Sequence, residues 1–196
     1  MGTDTKVSGW YKLWGKRAFD ITLSLVLGIV LLPLLGIVSL FTLVILGCPI
    51  LFRQQRAGQN GKRFLVYKFR SMSEMRSPNG ELLSDYQRTN RYGRFLRSTS
   101  LDELPSLWNV IRGEMSLVGP RPEMPSITEE YAPWQWQRFR VPPGMTGWWQ
   151  INGRSERPMH LHTEDDLYYI QNYSFWLDLQ ILLKTVEVVI RGKGAY

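Results

Sequence analysis

From Ile21 to Phe52 the chain carries not one charged side chain, and no other stretch limits its folding so severely. As one straight helix the run would reach about 48 Å at 1.5 Å per residue, against a bilayer hydrocarbon core of roughly 30 Å. Two arrangements resolve the excess. Gly47-Cys48-Pro49 can stop the helix early and leave a strongly tilted single span. Pro33 offers the other, because a proline inside a helix removes the bond to the carbonyl four residues back, that of Ile29, and bends the axis. The product is a helix-break-helix hairpin that enters and leaves through one leaflet. Lys12, Lys16 and Arg17 precede the run and Arg53, Arg56, Lys62 and Arg63 follow it. The positive-inside rule then wants both ends on the cytoplasmic face, as in the hairpin, although one-span proteins also carry basic residues on both sides. Both arrangements stay open here. The run is too long for the core of a signal peptide and is expected to be retained, behind a frayed or interfacial segment from Met1 to Gly15.

A chain of 196 residues has room for one domain of ordinary size plus an appendage. Its net charge of +7 points to an anionic partner: lipid headgroups, a phosphorylated substrate or nucleic acid. No helix-turn-helix, RRM or zinc motif accompanies that charge, so nucleic acid is not expected as a partner. One cysteine, Cys48, excludes an intrachain disulfide framework and fits a reducing compartment. Eight tryptophans and nine tyrosines suit a membrane interface as well as a core.

Past the apolar run, residues Ile50 to Arg56 and Arg63 to Arg70 read as two strands joined by the turn Gly58-Gln59-Asn60-Gly61. Val66, Lys68 and Arg70 share one face of the second strand, so two cations can converge on one anion; a solvated edge strand is the plainer alternative. Ser71 to Asn90 reads as a mobile surface loop. Arg88, Arg91, Arg94 and Arg97 recur every third residue, consistent with one basic helical face.

Ser98-Thr99-Ser100-Leu101-Asp102-Glu103-Leu104-Pro105 comes next, with a helix-compatible run behind it. Asp102 and Glu103 therefore fall in or just before a first helical turn, where adjacent side chains approach a ligand from different sides and unpaired N–H groups favour anions. The spacing of Ser100 and Glu103 equally fits a capping box that satisfies only backbone donors. Gly119-Pro120-Arg121-Pro122 holds Arg121 in a stiff turn, a suitable mount for a phosphate-gripping fork. Thr128 to Arg140 reads as an acidic-then-aromatic helix. The glycine-rich segment Val141 to Arg154, with Gln150, Asn152 and Arg154, makes a poor regular element but a plausible wall for a nucleotide or sugar. Glu164, Asp165 and Asp166 open a helix, and Phe175 to Ile190 is an amphipathic one that packs on the core or lies on the bilayer surface. His160 and His162 read as loop residues. No P-loop, GxGxxG, zinc spacing or G-x-S-x-G elbow is present.

Taken in order, Lys16-Arg17-Ala18-Phe19-Asp20, Tyr67-Lys68-Phe69-Arg70-Ser71-Met72, the Asp-Glu pair, Val118 to Pro122, Pro143 to Arg154 and Asp166-Leu167-Tyr168-Tyr169 resemble the monotopic phosphoglycosyl transferases, or bacterial sugar transferases, in their minimal catalytic form. The resemblance implies transfer of a phosphosugar from a UDP-sugar donor to a polyprenyl phosphate acceptor with release of UMP. Asp102 would be the nucleophile that forms a phosphosugar-aspartyl intermediate. Glu103 would help bind Mg²⁺ together with Asp102 and assist proton handling. Lys68, Arg97, Arg121 and also Arg70 and Arg154 match basic family positions near the phosphates, and Asp166 an acidic one near the dyad. The family's membrane break is usually a Ser-Pro pair; here it is Leu32-Pro33.

The fold expected is therefore α+β and mostly helical. Residues 1–52 would form the N-terminal segment and re-entrant membrane hairpin, and residues 53–196 one catalytic domain with interfacial amphipathic helices. The setting would be the cytoplasmic leaflet of a bacterial inner membrane, in contact with its phospholipid, with the oligomeric state left open. A non-enzymatic single-span protein whose basic domain binds anionic lipid is the alternative.

Overall fold

The computed structural model describes residues 11–152 and 161–191. The apolar run forms two helices, α1 (Lys16–Val30) and α2 (Leu32–Leu46), which meet at Leu31 with a bend of 63°. Pro33 sits in the first turn of α2, where its missing N–H costs nothing, so the break falls just before it. Among the described residues no single helix is long and apolar enough to cross a membrane, whereas the bent pair taken together meets that requirement by length and composition only. As the sequence predicts, α2 stops ahead of Gly47-Cys48-Pro49.

Packing separates the two faces of this pair. Val38 of α2 is buried with Phe69 and Leu96, and the Tyr92 hydroxyl donates to the Val38 carbonyl at 3.0 Å. The opposite face is bare: Val44 is 75% exposed, and Val30 67%. A contiguous apolar surface of that kind is not left in water.

At its amino end α1 is tied into the domain by polar contacts. Lys16 Nζ reaches Asp178 at 2.7 Å, the Tyr11 hydroxyl donates to the same carboxylate at 2.6 Å, and Asp20 accepts from the Ser116 hydroxyl at 2.7 Å and the Leu117 N–H at 3.2 Å. Arg17 donates to the last carbonyls of the helix that follows the acidic pair, those of Val110 and Ile111.

The predicted hairpin is present. Strands β1 (Leu51–Ala57) and β2 (Arg63–Phe69) run antiparallel from Leu51 opposite Phe69 to Ala57 opposite Arg63. Ser71 to Asn90 is more ordered than a plain loop: Arg76 bridges Leu82, and α3 (Asp85–Arg88) begins on a capping box between Ser84 and Gln87. The four-arginine face is broken, because Arg88 ends α3 while Asn90 caps a new helix, α4 (Arg91–Ser98), by accepting from the Gly93 N–H. Gly93 has no alternative in this packing; a Cβ there would lie 1.9 Å from the Ser71 carbonyl oxygen.

A 3-10 turn (Leu101–Ser106) carries the acidic pair into α5 (Leu107–Arg112). Strand β3 (Ser116–Val118) then pairs in parallel with β4 (Gly144–Thr146). The helix predicted from Thr128 to Arg140 is two pieces, α6 (Pro125–Thr128) and a 3-10 turn (Gln135–Arg140), since Pro125 starts the first and Pro133 lies between them. The glycine-rich segment holds more regular structure than its composition announces: β4 and then α7 (Trp148–Ile151). Helices α8 (Thr163–Asn172) and α9 (Phe175–Arg191) close the fold where predicted. The main core gathers Val66, Leu107, Val110, Leu117, Val118, Tyr169 and Ile181 from both sheets and from α5, α8 and α9.

Candidate active site

Among the described residues strand β2 pairs with one strand, β1, and side chains complete its other edge. Ser106 donates to the Tyr67 carbonyl at 2.8 Å. The Asn109 amide donates to the Leu65 carbonyl at 2.7 Å and accepts from the Tyr67 N–H at 3.2 Å, and it also donates to Glu114 at 2.7 Å. Asn109 is completely buried, so it fixes the acidic turn against β2 as a third strand would. Sequence reading missed it; a lone asparagine in a helical run carries no signal of such a partner.

That stitching brings the pair to its cations. Glu103 Oε1 accepts from Lys68 Nζ at 2.6 Å and from Arg121 at 3.0 Å. No side-chain capping bond closes on Ser100, whose backbone is left-handed at φ 55°, so the capping-box reading does not describe this turn. Burial alone would raise the Glu103 carboxyl, but Arg121 and Lys68 outweigh it and hold the group well below the usual carboxylate range. Asp102 behaves oppositely. It is 9% exposed and carries no hydrogen bond among the described residues, and its carboxyl is pushed up to about 6 by burial and by Glu103, against the pull of Lys68, Arg121 and Arg97. Two adjacent carboxylates are thus set apart, one engaged and held toward its charged form, one unengaged and pushed toward its neutral form.

Both line a cavity of about 690 Å³, together with Lys68, Arg70, Arg97, Arg121 and Gln150. Arg97 is held there by its bond to the Ser71 hydroxyl at 3.1 Å. The segment from Ser71 to Arg88 contributes Met72, Glu74, Arg76 and Arg88 to the wall, a role that its polar composition did not reveal. Arg70 lines the same cavity as Lys68, and its guanidinium also caps the carboxyl end of α2, donating to the carbonyls of Leu46, Gly47 and Cys48. Asn152 is exposed, bonds back to the Trp148 carbonyl at 2.9 Å and is not among the lining residues. Arg154 and His160 lie outside the described residues. His162 stands ahead of α8, 3.4 Å from Glu164.

Asp166 is buried and does not reach the cavity. Its carboxylate lies 2.7 Å from Arg138, a fully buried arginine that also donates to the Arg121 carbonyl at 2.9 Å. Burial pushes the Asp166 carboxyl up to about 6 while Arg138 pulls it down. Asp166 therefore positions the Arg121 loop at one remove. Arg138 is a second residue that sequence reading missed, hidden in what looked like an aromatic helix.

A divalent cation can be tested against this donor set. No group of three or more His, Cys, Asp or Glu gathers among the described residues, so there is no all-protein cage. Mg²⁺ needs none, since it is commonly held by one or two carboxylates plus substrate phosphates. Both hydrogen bonds to Glu103 end on Oε1, which leaves Oε2 and the whole Asp102 carboxylate as oxygen donors facing the cavity. The residues fit the ion.

Comparison with known proteins bears on the same region. The family model described as bacterial sugar transferase matches residues 11–192. The chain is 43% identical to the uncharacterized sugar transferase EpsL of Bacillus subtilis (strain 168), covering 91% of this chain and 89% of that protein. It is 40% identical to the UDP-glucose:undecaprenyl-phosphate glucose-1-phosphate transferase of Escherichia coli (strain K12), over 98% of this chain and 44% of that protein. With the undecaprenyl-phosphate galactose phosphotransferase of Salmonella typhimurium it shares 39% identity over 92% of this chain and 41% of that protein. Against these two larger relatives the chain spans less than half of their length.

Proposed function

The chain belongs to the bacterial sugar transferase family, and from that premise we propose that it moves a phosphosugar from a UDP-sugar to a polyprenyl phosphate with Asp102 as nucleophile. The observation that carries the assignment is the unequal pair: Glu103 tied to Lys68 and Arg121, Asp102 beside it with its oxygens unengaged. One Asp102 oxygen attacks the β-phosphorus of the donor, the bond from that phosphorus to the oxygen bridging to the α-phosphorus breaks, and UMP leaves with the electron pair. An oxygen of the lipid phosphate then attacks the same phosphorus and displaces Asp102, giving polyprenyl diphosphosugar and the free carboxylate. Lys68, Arg97 and Arg121 face the charge that develops on the transferring group, which is most of what phosphoryl transfer asks of a protein. Asp102 and Glu103 Oε2 would hold Mg²⁺, which would neutralise phosphate charge and keep Asp102 ionised. Glu103, so firmly ionised, suits that task better than proton transfer.

The membrane geometry supports a lipid acceptor. We read α1 and α2 as a re-entrant hairpin in the cytoplasmic leaflet, with the bare face of the pair against phospholipid tails. An apolar cleft of about 1320 Å³ lies beneath the bend, walled by Leu25, Ile29, Leu35 and Trp108, and it shares Phe52, Phe69, Leu104 and Leu107 with the cavity of the dyad. A lipid tail in the cleft and its phosphate beside Asp102 are thus compatible.

The test is direct. Purified protein incubated with Mg²⁺ and a panel of UDP-sugars, without lipid, should release UMP and leave a phosphosugar mass adduct on the Asp102 peptide. UMP release without that adduct, or an unchanged adduct in Asp102→Asn, removes the nucleophile assignment.

A further inference from the structure

One side chain in the cavity wall is unsatisfied at both ends. Gln150, in α7, is 5% exposed, and among the described residues neither its amide nitrogen nor its amide oxygen has a hydrogen-bond partner. The fold pairs Asn109 three ways, and burying an amide with nothing in return is costly. An orphaned donor and acceptor on a cavity wall are therefore best explained by a ligand that brings the complements. Gly147 shows how tightly the group is set. A Cβ at that position would lie 2.9 Å from Gln150 Oε1 and 2.1 Å from the Gly119 carbonyl oxygen, so the amide is packed beside the turn that leads into Arg121.

The pairing pattern narrows the ligand. A phosphate would use only the amide's donor, whereas a group that satisfies both ends must itself offer a donor and an acceptor side by side. The same wall offers a hexose other partners for its hydroxyls, Gln54, Ser73 and Glu74 among them, so a sugar does not need this amide. A flat ring with an imide edge carries the adjacent donor and acceptor that would meet both of its ends.

Resting on the UDP-sugar reading above, we propose that Gln150 is the specificity residue for the donor's base: Oε1 accepts from the uracil N3–H and Nε2 donates to an adjacent ring carbonyl. UMP separates this contact from any contact with the sugar, and N3-methyl-UMP removes the one proton concerned. Inhibition by both nucleotides is measured for the wild type, the near-isosteric Gln150→Glu and Gln150→Leu, with folding checked by circular dichroism. The expected result is that UMP inhibits both variants roughly ten- to a hundredfold more weakly than the wild type. Methylation should weaken inhibition of the wild type by a similar factor, weaken that of Gln150→Glu as well because its carboxylate still accepts from N3–H, and leave Gln150→Leu nearly indifferent. If UMP inhibition is unchanged while the KM for the UDP-sugar rises, the amide reads the sugar and the proposal fails. If neither quantity moves, the amide meets no ligand and it fails as well. A wild type that neither binds UMP nor becomes labelled on Asp102 would instead overturn the donor reading itself.

Discussion

Lys68 Nζ lies 2.6 Å from Glu103 Oε1, and this contact joins the catalytic strand to the acidic turn. Lys68→Met keeps most of the stem and removes the charge, while Arg121 remains to pair Glu103. Turnover should fall by roughly a hundredfold or more, the scale seen when a preorganised charge is removed from an active site. Steady-state assay with a circular dichroism control checks this, and near-normal turnover would show that Lys68 is structural only.

Asp102 gives a pH prediction with a definite sign. Its carboxyl is pushed up to about 6 in the fold by burial and by Glu103, against about 3.9 in an unfolded chain. Between those values the folded state holds a proton that the unfolded state does not, so this group's contribution to stability falls as pH rises through about 6. Asp102→Asn has no such loss. It should match or exceed the wild type in stability at pH 8, by about 1–3 kcal/mol relative to the comparison at pH 4, while losing turnover and labelling. Thermal unfolding in detergent across that range measures it; an Asn variant destabilised most at pH 8 would contradict the electrostatics.

Asn109→Ala should be among the more damaging single changes in the domain. It strips partners from the Leu65 carbonyl, the Tyr67 N–H and Glu114 at once, and each buried group left unpaired costs about 1–3 kcal/mol. Denaturant unfolding reads the loss. The same variant should also lose activity, because the acidic turn is registered on β2 through this side chain.

Arg138 and Asp166 form a buried pair, 2.7 Å apart, and their deletions should differ. Arg138→Met strands Asp166, while Glu123 keeps Arg56 at 3.9 Å, and should cost about 3–5 kcal/mol. Asp166→Asn removes a carboxylate already pushed up by burial and leaves Glu123 near the arginine, so its cost should be much smaller. A double-mutant cycle measured by unfolding tests this order, and equal losses would refute it.

Much of this was legible in the sequence wherever one physical pattern dominated a stretch. The charge-free run and Pro33 offered a bent pair as one of two arrangements, and the pair is bent by 63°. The glycine turn between alternating residues announced the hairpin, and the periodicity after Phe175 announced α9. Sequence failed where a role depends on a distant partner. Nothing local says that Arg70 will cap α2 as well as line the cavity with Lys68, that Asn109 will act as a strand edge, or that Arg138 will be buried to brace Arg121. Local spacing also misled twice. Ser100 with Glu103 mimics a capping box, and the three-residue arginine rhythm continues across a helix boundary at Asn90.

The clasp of Arg70 on the end of α2 ties two scales of the molecule together. Lys68 stands two residues before Arg70, near the end of β2, so under the membrane reading proposed above a change in the slant of the hydrophobic elbow would reach the cation that faces Glu103. Turnover should then vary across vesicles of graded acyl length even when donor and acceptor concentrations are held constant.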